Sequence, residues 1–226
     1  GSNVAVGVDA LFDNNASNNV AVGYSSAANV TTATNIVAVG YNALGTLTTS
    51  NNNVAVGTSA LSANTAANNT AVGYESLVSN TTGSGNVAVG YVALAAATTG
   101  ANNITVGSYS GDLITTGSNN VVVGFDAGSY LTNLTTGSNN ILIGSYAKTS
   151  ASGADSQLTI GYNVQCTGNS NFTFGKADTD SNIAFGGTSI TAPSDVRLKE
   201  DIQDEEIGLE FINELRPVTY QWKKAK

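Results

Sequence analysis

The sequence predicts an all-β fold, a parallel β-roll or β-solenoid built from short coils of about 17 residues. Three observations predict it: a recurring Asn-Val-Ala-Val-Gly unit, alternation of β-branched residues before each glycine, and a composition of small residues. Glycine supplies 25 of 226 residues, and the apolar fraction of 41% rests mainly on alanine and valine. Small side chains cannot fill a wide interior at native packing density, so the predicted core is narrow.

The period is set by the glycine that ends each unit. Most steps between these glycines are 16 or 17 residues, which places them at Gly7, Gly23, Gly40, Gly57, Gly73, Gly90, Gly107, Gly124, Gly144 and Gly161, with degenerate copies at Gly175 and Gly186. The two residues that stand one and three places before the glycine are almost always Val, Ile or another large apolar residue. This period-two alternation predicts a short strand with one buried face, and the glycine permits the bend that follows.

Two further columns of the repeat have a predicted structural role. Three places after the glycine the residue is always Ala or Ser in nine successive copies, which indicates close approach of another backbone, either the opposite wall of the coil or a neighbouring chain. Four places before it stands Asn in ten of twelve copies, Ile36 and Gln157 being the exceptions. Stacked amides at one level per coil predict a hydrogen-bonded ladder.

Aromatic residues follow the glycine in several copies, at Tyr24, Tyr41, Tyr74 and Tyr91. Two interpretations stay open: packing of one coil on the next, or a stripe that stacks on sugars. One coil buries little by itself, so coils must stack into a solenoid, and a homotrimer would supply further burial.

The repeat over roughly residues 3–190 resembles the head of trimeric autotransporter adhesins, in which Asn-x-Val-Ala-Ile-Gly motifs build a left-handed parallel β-roll. That resemblance implies a trimer, surface display and attachment to a cell.

The composition changes after Ala192-Pro193, so we predict two domains, the repeat fibre over 1–190 and a short α/β segment over 191–226. Asp204 can cap a helix with an apolar face that Pro217 ends, and 218–222 alternates like a strand. Ser194-Asp195-x-Arg197-x-Lys199, Gly208-Leu209-x-Phe211-Ile212 and Leu215-Arg216-Pro217-Val218-x-Tyr220-x-Trp222 resemble the start of the endosialidase-type intramolecular chaperone domain, which caps phage tail fibres and tail spikes.

The chaperone resemblance implies trimerisation, guided folding of the fibre and release by self-cleavage. It assigns Ser194 as the nucleophile, Lys199 as its activating base and Ser194–Asp195 as the bond that is cut. A desolvated lysine with a lowered pKa can accept a serine proton. Read without the family, Ser194 is a cap before a helix and Lys199 is a solvated side chain. The family domain is longer than this segment, so we expect the chain to be a fragment of a larger protein.

Charge and composition exclude several functions. No Lys or Arg occurs from Gly1 to Ala147 and the net charge is −8, so we expect no nucleic-acid binding. No stretch is apolar enough to cross a bilayer. The chain lacks His and has one cysteine, Cys166, which is expected to be a buried apolar thiol, so no metal site and no cofactor are predicted.

We therefore predict a structural, non-enzymatic fibre segment of a virion tail fibre or spike, whose partners are two further copies of the chain and a host receptor or glycan. The alternative is the head of a bacterial surface adhesin, displayed on the cell surface. A polysaccharide-degrading spike would need two carboxylates facing each other in a cleft. The acids of the repeat region are scattered over different coils, and Asp178 and Asp180 are interpreted as solvated, so any such catalysis is expected upstream.

Overall fold

The computed structural model describes residues 1–177 and 180–187, and these form an all-β structure without an α-helix. Each predicted unit contributes one short strand, formed by the three residues before its glycine, and the last strands are longer. The twelve strands are β1 (Val4–Val6), β2 (Val20–Val22), β3 (Val37–Val39), β4 (Val54–Val56), β5 (Thr70–Val72), β6 (Val87–Val89), β7 (Ile104–Val106), β8 (Val121–Val123), β9 (Ile141–Ile143), β10 (Leu158–Tyr162), β11 (Asn171–Lys176) and β12 (Ser181–Ala184).

The strands form one sheet in sequence order, and β1 to β11 are all parallel. The register repeats without a slip, since Val37 pairs with Val54 and Val54 with Thr70. Every coil therefore contacts the coil before it and the coil after it, which confirms the predicted parallel β-solenoid.

The last predicted copy, at Gly186, is wrong as a further coil. β12 pairs antiparallel with β11, so that Phe172 lies opposite Ile183. The step from Gly175 to Gly186 is too short for a complete coil, and the chain folds back as a hairpin instead. The copy at Gly175 is confirmed, because Gly175 pairs in register with Gly161.

The interior is lined by the middle residue of each strand, not by its two valines. This residue is fully buried from Ala21 through Thr173. Opposite it lies the small column three places after the glycine, also fully buried in the single chain from Ser26 to Ala147. The small residues thus line the coil's own wall, which decides between the two interpretations left open by the sequence.

Leucines beside this small column complete the core. Leu44, Leu61, Leu77 and Leu94 are fully buried, and their backbones are left-handed, with φ of 52–53°. A left-handed non-glycine residue costs roughly 1–2 kcal/mol. Burial of a leucine side chain contributes about 1.5–3 kcal/mol, so the packing offsets the strained backbone.

The repeat glycines allow the coils to approach each other. From Gly7 to Gly175 their φ lies between 127° and 145°, a region that residues with a Cβ rarely adopt. A Cβ at Gly90 would also overlap the carbonyl oxygen of Gly107 in the next coil. Both the backbone angle and the spacing of the coils therefore require glycine at this position.

The predicted asparagine ladder is confirmed and lies inside the coils. The side chain of Asn103 binds the following coil twice: its Oδ1 accepts from the backbone N–H of Asn120 at 3.0 Å, and its Nδ2 donates to the carbonyl of Gly117 at 2.8 Å. The same pair of contacts recurs at Asn69, Asn86, Asn120 and Asn140. Gln157 continues the ladder, because its backbone N–H donates to Asn140 Oδ1.

Candidate functional site

The predicted self-cleavage residues Ser194, Asp195 and Lys199 lie outside the described residues, as do the predicted helix after Asp204, the strand over 218–222 and Asp178. Their assignment stays a prediction. The described surfaces are the outside of the stack, and they are of three kinds: an apolar strand face, a stripe of aromatic rings and a polar face.

The strand face is the outer side of β1 to β10, formed by the residues one and three places before each glycine. These positions hold Val and Ile, with Leu158 in β10 and Thr70 in β5. Ile104, Ile141 and Ile143 are 43%, 39% and 40% exposed in the single chain. Because the interior is too narrow for more than Ala or Thr at most levels, the large apolar residues point outward. A continuous apolar surface of this kind marks an interaction site.

The aromatic stripe consists of six rings on six successive coils: Tyr74, Tyr91, Tyr109, Phe125, Tyr146 and Tyr162. Neighbouring ring centroids are 5.2–6.3 Å apart, the first pair stacked and the others edge to face. Tyr130 packs beside the stripe, 4.8 Å from Tyr146. An isolated pair, Tyr24 and Tyr41, stacks at 5.7 Å near the N-terminal end.

Packing between coils is thus confirmed for the tyrosines that the sequence singled out. Their continuation was missed because the aromatic residue changes column at two of the next four coils, although Phe125 and Tyr162 again stand directly after a glycine. Where serine follows the glycine, at Ser108 and Ser145, the ring moves one place on, to Tyr109 and Tyr146. The signal is readable as Gly-Ser-Tyr replacing Gly-Tyr, although only the structure shows that both positions reach the same stripe.

Carboxylates flank the stripe. A hydrogen bond to Glu75, together with the charge of that residue, raises the pKa of Tyr74 above its usual value. Partial desolvation raises the pKa of Tyr109, with contributions from Tyr91, Asp112 and Asp126. In the chain, Glu75 and Asp126 stand directly after Tyr74 and Phe125, and Asp112 stands three residues after Tyr109.

Asp112 and Asp126 belong to different columns of successive coils, and the pKa of both is raised. Desolvation raises the pKa of Asp112; desolvation and then the charge of Asp112 raise that of Asp126. From the sequence, the acids were interpreted as scattered over different coils. The effect of Asp112 on the pKa of Asp126 was missed because it depends on the coil geometry.

Lys148 is the first basic residue of the chain and is only 6% exposed. Its Nζ donates to Asn163 Oδ1 at 2.6 Å and lies 5.2 Å from the ring centroid of Tyr130, in a cation–π contact. Beside the stripe, the amine of Lys148 is therefore already held by an amide and a ring.

The polar face carries Thr, Ser and Asn. One column of threonines donates its hydroxyls to carbonyls of the next coil, as Thr81 does to Thr98 at 2.9 Å. Exposed asparagines form a second ladder, for example Asn52 Nδ2 to Asn68 Oδ1 at 3.1 Å. These polar groups bind one another along the stack and give a neutral surface.

A shallow open pocket lies at the N-terminal end, lined by Asp9, Phe12, Asp13, Asn29 and Asn42 among others. Within the described ranges, no cluster of three or more His, Cys, Asp or Glu side chains could hold a metal ion. None of these residues forms a helix of the length and apolarity that crossing a bilayer requires. Cys166 is a buried free thiol 3.5 Å from the hydroxyl of Thr173.

Comparison with known proteins gives a family match at the C-terminal end of the chain. Residues 194–226 match the family described as the chaperone of endosialidase. No curated protein and no solved structure matches the chain. A parallel β-solenoid followed in sequence by a segment that matches this chaperone family fits a structural protein of the tail-fibre or tail-spike type.

Proposed function

We propose that the chain is a rigid segment of a phage tail fibre or tail spike, that three copies associate through the strand face, and that the assembled fibre attaches to a host cell surface. The strand face is the observation that supports this most directly. It presents large aliphatic side chains to solvent along ten coils, and contact with a second apolar surface would remove them from water.

The strand face suits a cyclic assembly. Because the parallel register repeats without a slip, the face continues from each coil to the next along the stack, and identical faces can meet around one axis. A cyclic trimer would then bury this face on every chain at once. The match of residues 194–226 to an intramolecular chaperone family supports the trimeric state, since the resemblance implies such assembly.

Native mass in solution tests the trimer. Light scattering should give three times the 22.8 kDa chain mass. The double variant Val89→Glu/Val106→Glu should dissociate it, because each charge would be buried without a partner. The matched control is Thr99→Glu/Thr116→Glu, two exposed residues of the polar face, which should stay trimeric. A monomeric native protein, or a trimeric strand-face variant, would contradict the proposal.

Self-cleavage is the second element of the proposal. In a chain extended to the complete chaperone domain, Lys199 would accept the hydroxyl proton of Ser194, and the Ser194 oxygen would attack the carbonyl carbon of the Ser194–Asp195 bond. The amine of Asp195 would leave with the proton from Lys199, and water would then hydrolyse the serine ester. Ser194→Ala and Lys199→Met should each leave one uncleaved band, whereas Thr191→Ala should be cut normally. Mass spectrometry of the released fragment should give Asp195 as its first residue, and any other cut site would refute the assignment.

The repeat itself favours a second candidate, the head of a bacterial surface adhesin, because Asn-Val-Ala-Val-Gly resembles that family's motif. The two candidates share the trimeric roll and the attachment role. They differ in where the protein is found, so immunogold labelling of virions and of intact cells discriminates between them. Substrate-directed catalysis, if the assembled particle has it, is proposed to belong to residues upstream of Gly1.

A further inference from the structure

We propose that the aromatic stripe binds an extended, uncharged polysaccharide, whose sugar rings lie along Tyr74 to Tyr162. This inference rests on the attachment role proposed above and names the class of receptor. Pyranose rings present patches of C–H groups that pack on aromatic faces and edges, and their hydroxyls need acceptors at the border of the contact.

The length and spacing of the stripe fit a polymer better than a single sugar. Six rings follow one another over six coils without a gap, at centroid spacings of 5.2–6.3 Å. An extended glycan repeats its rings at a comparable interval, so several consecutive sugars can contact successive aromatics. The rings are held by each other and by the rigid turns below them, which limits the entropy lost on binding.

The rings also keep a large exposed area despite packing on each other. Tyr74, Tyr91 and Phe125 are 44%, 47% and 45% exposed, and Tyr162 is 53% exposed. Contact between coils therefore uses only part of each ring. The remainder forms a strip that is narrowest at half-buried Tyr146, where Tyr130 packs on the ring, and a ligand running parallel to the fibre could cover it.

Charge selects among glycans. Glu75 and Asp126 stand directly after Tyr74 and Phe125 in the chain and are partly exposed, whereas the chain has no Lys or Arg before Lys148, whose amine is already engaged. These carboxylates can accept hydrogen bonds from sugar hydroxyls. They would repel a polymer that carries carboxylate, sulfate or phosphate groups, so the complementary ligand is neutral.

Affinity electrophoresis of the native protein in gels that contain soluble polysaccharide provides the test. The neutral probes are hydroxyethylcellulose, mixed-linkage β-glucan and galactomannan; alginate is the anionic probe. At least one neutral polymer should retard the protein, and alginate should not. Tyr91→Ala/Phe125→Ala should lower the affinity about tenfold or more, because it removes two rings from the middle of the run.

The matched control is Tyr24→Ala/Tyr41→Ala. It removes two stacked, exposed rings from the same fibre, but Thr58 separates this pair from the six-ring stripe. Its retardation should equal that of the unaltered protein. Three results would overturn the inference: loss of binding in the control variant, unchanged binding in the Tyr91/Phe125 variant, or retardation by alginate equal to that by the neutral polymers.

Native mass, measured on the same samples, separates this inference from the fibre proposal. A trimer that no neutral polymer retards overturns the glycan site alone. A Tyr91/Phe125 variant that becomes monomeric assigns the stripe to the chain–chain interface, which also overturns the inference and leaves the fibre intact. A monomeric unaltered protein refutes the trimer, and its retardation still decides the stripe.

Discussion

The first nine strands and the last three differ in the hydrogen bonds that hold neighbouring coils together. From β1 to β9 the strands have three residues, and buried asparagines bind one coil to the next. From β10 to β12 the strands lengthen to between four and six residues, the corresponding amide belongs to Gln157 or to the half-buried Asn171, and the final pairing is antiparallel. Direct sheet hydrogen bonds thus replace side-chain amides toward the end of the stack.

This difference shows what the repeat is for. A three-residue strand leaves most of each coil outside the sheet, so glycine, the small column and asparagine must hold the remaining turns together. Where strands are longer, two of these positions change while the glycine is kept at Gly161: buried Val164 takes the small column, and Gln157 replaces asparagine. Beyond them, Phe172 and Phe174 pack on each other at 4.9 Å. The antiparallel β12 also covers the edge that β11 would otherwise expose.

The largest expected effect is at a repeat glycine. Gly90→Ala forces a Cβ into the carbonyl of Gly107 at a φ of 145°, and should lower the free energy of unfolding by about 3–5 kcal/mol. Gly168→Ala in the terminal region is the control, since its Cβ would lie 3.6 Å from Asn171 in ordinary contact. It should change stability by less than about 1 kcal/mol.

Urea denaturation followed by circular dichroism, at equal protein concentration, measures both glycine variants. Equal losses in the two variants would mean that the regular coils do not depend on their glycines more than the terminal region does.

A smaller effect is expected from the amide ladder. Asn103→Ala leaves the N–H of Asn120 and the carbonyl of Gly117 without their buried partner, which should cost about 2–4 kcal/mol. Asn171 occupies the same repeat position in the last parallel coil, where its amide donates only to the nearby Thr167 hydroxyl. Asn171→Ala should cost less than about 1 kcal/mol.

Thermal unfolding of the asparagine variants should therefore give a clearly lower Tm for the Asn103 variant than for the Asn171 variant. The reverse order would show that the ladder contributes little to the regular coils.

The smallest expected effect concerns Asp112, whose pKa is raised mainly by desolvation. The folded protein binds this proton more tightly than the unfolded chain does, so stability should rise as pH falls from neutrality through the raised pKa and level off below the ordinary aspartate value. Asp112→Asn should stabilise the protein at pH 7 by less than about 1 kcal/mol, because half-exposed charges are screened.

Denaturant midpoints of the Asp112 variant and the unaltered protein, measured between pH 7 and pH 4, check this. The two curves should converge at the acidic end. A difference that widens as the pH falls would contradict the assigned direction of the pKa shift.

The sequence determined the period, the strand positions, the ladder and the parallel stacking, because each depends on residues that recur at a fixed place. It could not decide which side of the strand faces inward: alternation marks Val and Ala as opposite sides, and hydrophobicity alone favours burying valine. The left-handed backbone of the buried leucines could not be predicted either. Leucine disfavours this conformation, and only burial of its side chain in the packed coil offsets the cost. The reversal at β12 was missed because Phe185-Gly186 imitates the repeat.

For the candidate site, residue spacing predicted the first tyrosines and their packing. It did not predict the six-ring stripe, because Tyr109 and Tyr146 are one place out of column. It also did not predict the effect of Asp112 on the pKa of Asp126, which depends on the geometry of the turns. The self-cleavage residues rest on sequence alone, since Ser194 and Lys199 lie outside the described residues.

The asparagine ladder has one further consequence, for the order in which the fibre is made. Each amide binds the backbone of the coil that follows it in sequence, as Asn86 does to the N–H of Asn103 and the carbonyl of Gly100. The contacts to the preceding coil join amide to amide, as when Asn103 Nδ2 donates to Asn86 Oδ1 at 3.2 Å. Ribosomes deliver the earlier coil first, so it can display both groups before its successor emerges. Each finished coil is then a template for the next, and elongation proceeds in the direction of translation.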